Sequence, residues 1–388
     1  MNIAYLLRFW PTFGGGETVT RLLANELCNR GHNIYIYYLW DRTNNLVQDI
    51  NPKIVARKVE NISDIINDGE IQKRDYKSIS NQFHKFYIND KIDIVVNQWI
   101  PAKICLNSIK NQSIKLITCN HGLIKYVPPV LKTLKQKIFY TLLGENAGFL
   151  RIYWQYKPSV LKSDRYVCLC EPYVKDIKKL YSLKNDARII AVPNPCTYNI
   201  LSNDCIQKKR KEIIYVGRAI ELKRINLLID AWKIIEDDSC SSEWNFTIIG
   251  DGPTLENNKQ YAEELGCKHI NFEGFKEPKA YYERSSIFIF ASCQEGWGMV
   301  LVEAQANGCI PVVMDSSPCF HVIIDNSKNG FIVKDGSVKE LSEKVLFLMK
   351  NDTTRKEIAL SAIESSKQYH ISNIVDTWEK IFNECLVS

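Results

Sequence analysis

The stretch ASCQEGWGMVLVEAQANGCIPVV, Ala291–Val313, carries two carboxylates eight positions apart, Glu295 and Glu303. Gly298 closes a glycine loop, and the segment from Met299 to Asn307 reads as a helix that stops at Gly308. Glu303 then stands about one turn into that helix, roughly 7 Å along its axis from the start. Glu295 stays on the loop before it. The two therefore do not form one carboxylate pair; they reach different parts of an elongated ligand, with the helix N-terminus and its free N–H groups between them. A carboxylate accepts two hydroxyl hydrogen bonds well. Hydroxyls at both ends and an anionic group in the middle describe a nucleotide sugar.

Other residues offer the matching charge. Val216-Gly217-Arg218 ends a strand pattern, and Lys223 and Arg224 follow a few residues on. Cations at a strand end suit a diphosphate through charge-assisted hydrogen bonds, although solvated surface side chains would look the same. Gly14, Gly15 and Gly16 lie between the first strand and its helix, where glycine lets the backbone approach a ligand and the helix start favours an anion. A plain tight turn is the alternative. The pattern is not Gly-x-Gly-x-x-Gly, which argues against a nicotinamide dehydrogenase.

These residues need elements to position them. NIAYLL, NIYIYYLW, IDIVVNQW, IKLITC and SDRYVCLC read as short buried strands separated by helical stretches. After ARIIAVPNPCT the pattern restarts with EIIYVGR, a helix at 226–236, WNFTIIGDGP, a helix around 255–265, HINFEGF and SIFIFAS. Such alternation predicts parallel sheets covered on both faces. The fold class expected is α/β, with two facing Rossmann-like doubly wound domains and an interdomain cleft. The expected divisions are 1–190, 191–370 and a C-terminal helix, 371–388, packing back towards the first domain. Ligands in such sheets bind at the carboxyl ends of the strands.

Composition narrows the classes. At 388 residues and 45% hydrophobic, the chain can bury two cores, and 24% charged residues argue against disorder. Apolar runs such as IFIFA fall far short of the roughly 20 residues of a membrane span. The N-terminus reads as a first strand, not a signal peptide. Thirteen scattered cysteines without paired Cys-x-x-Cys units read as reduced core thiols of a cytosolic protein, with no metal site. The formal charge of +6 is concentrated: between Lys125 and Arg165 eight basic residues face only Glu145 and Asp164. Leu131, Leu134, Ile138, Phe139 and Leu142 have helical spacing there. This is either an ordinary helix with a solvated basic face or a contact for an anionic membrane surface or phosphate-bearing acceptor. No nucleic-acid partner is expected.

Taken together, the motifs carry a resemblance. GGGETVTRLLANELCNRGHNIYIY, Asn120-His121-Gly122, Val192-Pro193-Asn194, Val216-Gly217-Arg218 with Lys223, IIGDGP, Asn329–Val333 and the Glu-x7-Glu of the opening stretch are similar to glycosyltransferase family 4, of the GT-B fold, over nearly the whole length. The resemblance implies a retaining, metal-independent, hexosyltransferase-like enzyme without cofactor. It would move a sugar from a nucleoside diphosphate sugar to a glycan or lipid-linked acceptor. Glu303 would bind the ribose hydroxyls, and Glu295 the transferred sugar with backbone N–H groups of Gly296, Trp297, Gly298 and Met299. Arg218 and Lys223 would neutralise the diphosphate, with Gly15 and Gly16 near it; Gly274 and Phe275 would line the base, and His121 would sit beside the sugar. Glu295, His121, Arg218 and Lys223 form the expected catalytic group. The expected location is the cytoplasm, peripheral on the inner face of the plasma membrane. The chain departs from the family at Pro195 and Arg224, where glycine is usual, and at Cys319–Val322, where a Pro-Glu pair is common. An epimerase of the same fold, or a silent glycan-binding subunit, are the rival readings.

Overall fold

β-Branched and aromatic runs form the strands, and burial on both faces is what marks them as central. The computed structural model describes residues 1–12, 14–42, 49–65, 70–122 and 145–387, without the side chains of 145–149 and 152. The chain divides into two compact units, Met1–Pro193 with Ile371–Ser388, and Asn194–His370.

In the first unit β1 (Asn2–Phe9), β2 (Asn33–Trp40), β3 (Val55–Lys58), β4 (Ile94–Asn97), β5 (Lys115–Asn120), β6 (Arg165–Cys168) and β7 (Ile189–Ala191) form one sheet. Its order is β3-β2-β1-β4-β5-β6-β7, and every pairing is parallel. The helices are α1 (Gly15–Asn29), α2 (Tyr76–Asn89), α3 (Ala102–Ser108), α4 (Glu145–Lys162) and α5 (Glu171–Leu180). Strand order reverses between β1 and β4, the topological position where open parallel sheets leave a crevice at their carboxyl ends.

The second unit repeats the device. Its strands are β8 (Arg210–Val216), β9 (Asn245–Ile249), β10 (Ile270–Gly274), β11 (Ser285–Phe290), β12 (Ile310–Met314) and β13 (Phe331–Val333). They lie in the order β10-β9-β8-β11-β12-β13, all parallel, with the switch between β8 and β11. The helices are α6 (Ile225–Glu236), α7 (Leu255–Glu264), α8 (Lys279–Arg284), α9 (Met299–Ala306), α10 (Phe320–Ile323), α11 (Val338–Lys350) and α12 (Asp352–Ser366).

The last helix, α13 (Ile371–Val387), belongs to the first unit and packs on α1. Its apolar residues Ile374, Val375, Trp378, Ile381 and Phe382 are buried. Arg30, just after α1, donates to Glu379 at 2.8 Å and to Ser372 Oγ at 2.9 Å. Most of the thirteen cysteines are buried, as small core residues are. Among the described residues no helix is long and apolar enough to cross a membrane. The part of the basic segment expected to contact a surface that includes Leu131–Leu142 lies outside the described residues.

Candidate functional site

Side chains at the carboxyl ends of β8 and β11 flank the second unit's switch point. The loop after β8 is set by glycines that no other residue could replace without displacement. A Cβ on Gly250 would sit 1.9 Å from Gly217 O, and one on Gly252 would sit 2.3 Å from Ala219 O. The loops after β8 and β9 thus touch backbone to backbone, and Ala219 N donates to Asp251 O at 2.9 Å while Thr254 N donates to Ala219 O at 3.1 Å. This contact fixes where Arg218 leaves the strand. Arg218 is exposed, and among the described residues no acidic side chain pairs with it.

Lys223 ends a single 3-10 turn, and its ammonium forms an ion pair with Glu295 Oε1. The same ammonium lies over the Phe290 ring, 5.3 Å from its centroid. Both side chains are largely enclosed, at 20% and 14% exposure. The sequence had assigned these two groups to different parts of a ligand; here each is the other's partner. Arg224 occupies a left-handed conformation, φ 48° and ψ 46°, the region that favours glycine, the residue the resemblance leads one to expect there. The strain of about 1–2 kcal/mol for a residue with a Cβ is offset by anchoring, because Arg224 Nε donates to Ala291 O at 2.6 Å and its guanidinium pairs with Asp335. Arg224 is therefore tied to Ala291 O and Asp335, as Lys223 is to Glu295.

The glycine loop holding Glu295 is clamped from the segment after β12. Ser317 Oγ donates to Glu295 O at 3.1 Å, and Cys319 Sγ donates to Gly296 O at 3.1 Å. Cys319 stands in the stretch where the resemblance implies a Pro-Glu pair, and its thiol helps to hold the loop. Gly298 caps α9 at φ 86°, and a Cβ there would crowd Leu301 and Phe320 at 3.2–3.3 Å. The Trp297 indole is 3% exposed and edge-on to Tyr369, with centroids 5.5 Å apart. It faces the interior, so this residue can offer a ligand only its backbone. Met299 begins the helix. Gly274 accepts from Gly250 N at 2.8 Å at φ 66°, and Phe275 beside it is 56% exposed.

Glu303 occupies a different environment from Glu295. It is 8% exposed, and each oxygen receives a hydroxyl: Thr197 Oγ1 donates to Oε1 at 2.7 Å and Tyr282 Oη donates to Oε2 at 3.2 Å. Burial raises its pKa above the usual carboxylate value, and these two hydrogen bonds pull in the opposite direction. Neither Thr197 nor Tyr282 was found by sequence reasoning.

In the first unit α1 starts at Gly15, and a Cβ on Gly16 would lie 2.8 Å from Trp99 Nε1. The Trp99 ring also rests on the imidazole of His121, with centroids 5.2 Å apart. His121 Nε2 is hydrogen-bonded to Gln98 Oε1. Burial lowers the His121 pKa to about 4, so the ring is neutral at ordinary pH. Gln98 and Trp99 follow β4, across the first switch point from the glycines after β1. The carboxyl-end rule applied to IDIVVNQW could have marked them.

Comparison with known proteins covers both units. The model of Glycosyltransferase Family 4 matches residues 13–197, and that of Glycosyl transferases group 1 matches residues 202–365. The chain belongs to glycosyltransferase family 4. An uncharacterized glycosyltransferase of Haemophilus influenzae is 24% identical over 98% of this chain and 99% of its own length. A Campylobacter jejuni relative, GalNAc-alpha-(1->4)-GalNAc-alpha-(1->3)-diNAcBac-PP-undecaprenol alpha-1,4-N-acetyl-D-galactosaminyltransferase, is 23% identical over 99% of both chains. The crystal structure of Anabaena HepE in complex with UDP and glucose superimposes with a TM-score of 0.73 at 14% identity, covering 99% of this chain and 100% of that one. The two parallel-sheet units are those of GT-B glycosyltransferases.

Within this family 4 chain the structure gathers the expected residues into three groups. Lys223 and Glu295 form one pair with Arg218 on the neighbouring strand-end loop; Glu303 forms a second group with Thr197 and Tyr282; Gly16 and His121 are joined through Trp99. The first can meet an anion and a hydroxyl side by side. The second is a buried carboxylate with two hydroxyl donors and no cation among the groups that act on it. The third offers N–H groups at a helix start next to a neutral imidazole.

Proposed function

We propose that the chain is a retaining glycosyltransferase that moves a sugar from a nucleoside diphosphate sugar to an acceptor hydroxyl. The reading is carried by one observation: Arg218, Lys223, Glu295 and the start of α9 all leave the carboxyl ends of β8 and β11, which flank the switch point of one parallel sheet. Arg218 and Lys223 supply positive charge for the diphosphate and for the charge it gains as the bond to the sugar breaks. Backbone N–H groups from Gly296 to Met299 add the partial charge of a helix start. Glu295 holds hydroxyls of the departing sugar, and Glu303 holds the ribose. Gly274 and Phe275 line the base. Gly15 and Gly16 suit a phosphate, and neutral His121 suits a sugar hydroxyl. The sequence holds no Asp-x-Asp, and the reading assigns phosphate neutralisation to these cations with no metal ion.

HepE in its complex holds UDP and glucose, and the name of the Campylobacter jejuni relative places its acceptor on PP-undecaprenol. We infer the same classes here: a UDP-sugar donor and a glycan on a lipid carrier, in bacterial surface polysaccharide or lipopolysaccharide synthesis. Peripheral contact with the cytoplasmic face of the membrane through the segment from Lys125 to Arg165 fits that acceptor. Its described part, α4, exposes Trp154 at 63% with Lys157 over the ring at 4.7 Å.

Thermal unfolding against a panel of UDP-, GDP-, ADP- and dTDP-sugars tests the reading. A donor at about a hundred times its Kd stabilises by about 2.7 kcal/mol, or about 5–10 °C for a unit of this size. The stabilising donor should then be consumed only with an acceptor present. Conversion to another nucleotide sugar without acceptor would favour an epimerase, and no shift from any donor would refute the proposal.

A further inference from the structure

The Glu303 carboxylate has about four lone-pair positions, two on each oxygen. Thr197 takes one on Oε1 and Tyr282 takes one on Oε2. One acceptor position therefore remains on each oxygen, which is the number that a pair of adjacent hydroxyls requires. We propose that Thr197 and Tyr282 are positioning residues for Glu303, orienting it so that each oxygen presents one lone pair to the two ribose hydroxyls of a nucleoside diphosphate. This rests on the assignment of Glu303 to the ribose made above.

The surroundings support a positioning role. Tyr282 is fully buried on α8, and its carbonyl is held by Lys209 Nζ at 2.7 Å. Its ring lies 6.1 Å from Tyr198, whose hydroxyl donates to Glu277 at 2.7 Å. Thr197 follows Cys196, whose backbone N–H is fixed to Tyr369 O at 2.8 Å. The groups acting on Glu303 are thus Thr197 from the segment entering the unit, Tyr282 from α8, and Glu277 from the loop before α8. The Cys196 and Tyr198 groups also feel its charge. Glu277 opposes ionisation, as burial does, and only the two hydroxyls favour it. With no cation among these groups, the hydroxyls both aim the carboxylate and favour its charged form.

Calorimetry of UDP binding to the full chain from pH 5 to 9 tests this. Binding needs ionised Glu303, so affinity falls as the pH drops through its pKa. Tyr282→Phe and Thr197→Val each remove a hydrogen bond to the charged form; they should weaken UDP about threefold to tenfold at pH 8 and move the acid limb of the profile to higher pH. Thr197→Ser should restore both. Phosphate titration of UDP is common to all variants and cancels. A structural role alone would lower Tm and leave the acid limb in place. Glu303→Gln separates the two levels of the argument. If it binds UDP within twofold of wild type, the ribose assignment fails. If it binds weakly while Tyr282→Phe and Thr197→Val keep both the wild-type affinity and the wild-type acid limb, the positioning role is overturned.

Discussion

The ion pair between Lys223 and Glu295 makes a sharp prediction about Glu295→Ala. With side-chain exposures of 20% and 14%, the pair is screened less than a surface one, and a charge-assisted hydrogen bond of this kind is worth about 1.5–3 kcal/mol. A diphosphate recruiting Lys223 must loosen this contact or share the ammonium with Glu295. Complete rupture would return the whole amount when Glu295 is deleted, and pure sharing would return none. The intermediate case gives about 0.7–1.4 kcal/mol, so UDP should bind about threefold to tenfold more tightly to Glu295→Ala. The intact UDP-sugar loses its hydroxyl contact at about 1.5–3 kcal/mol; after the gain on Lys223 its affinity should fall by up to about fiftyfold. Turnover should fall further because the sugar is no longer held in an attack-ready pose. Lys223→Gln should weaken both ligands, and the double variant closes a cycle that reads the pair's coupling. Calorimetry with UDP and with the UDP-sugar, at one ionic strength, supplies all the terms. If Glu295→Ala weakens UDP as much as Glu303→Ala does, the two glutamates do not divide the ligand as proposed. If UDP affinity stays within twofold of wild type, Lys223 is not drawn away from its partner.

Two further outcomes are expected. Turnover should survive excess EDTA, because Arg218 and Lys223 are assigned the phosphate charge; loss of activity restored by Mg²⁺ or Mn²⁺ would overturn that assignment. Gly250→Ala should cost about 2–4 kcal/mol, from backbone overlap and the φ of 141°, and lower Tm by about 5–12 °C; Gly336→Ala, at φ 74° with open space around it, should cost only about 1–2 kcal/mol, and equal losses would show that the contact between the β8 and β9 loops is not tight.

Local pattern made the sheets and the glycine turns legible, and distance along the chain hid the partners. Helix α9 was expected at 299–307 and runs Met299–Ala306, and α6 was expected from 226 and begins at Ile225, because glycine stops and apolar periodicity are written in consecutive residues. Strand β3 escaped notice: VARK has no apolar run, and as an edge strand it leaves Val55 and Ala56 exposed. The hydroxyl that serves Glu303 comes from Thr197, 106 positions earlier, and the carboxylate that holds Lys223 lies 72 positions later. Nothing in either local stretch signals the other. The charge of Arg224 is legible in its residue type; its left-handed backbone and its bond to Ala291 O are not.

The two glutamates of one short motif are given different chemistry by what approaches them. Glu295 meets an ammonium, so its charge is neutralised before any ligand arrives and it can hold a sugar beside a phosphate without repelling it. Glu303 meets no cation among the groups that act on it; two neutral hydroxyls stabilise its charge in a buried place. A cation there would have occupied the lone pairs that a diol needs and would have attracted the diphosphate to the wrong end of the helix. Hydroxyl partners avoid both effects, and they offset part of the rise in pKa that burial imposes on the carboxylate. In the proposed reading the separation of roles between the loop before α9 and the helix itself thus follows from the choice of partner more than from the spacing of the carboxylates.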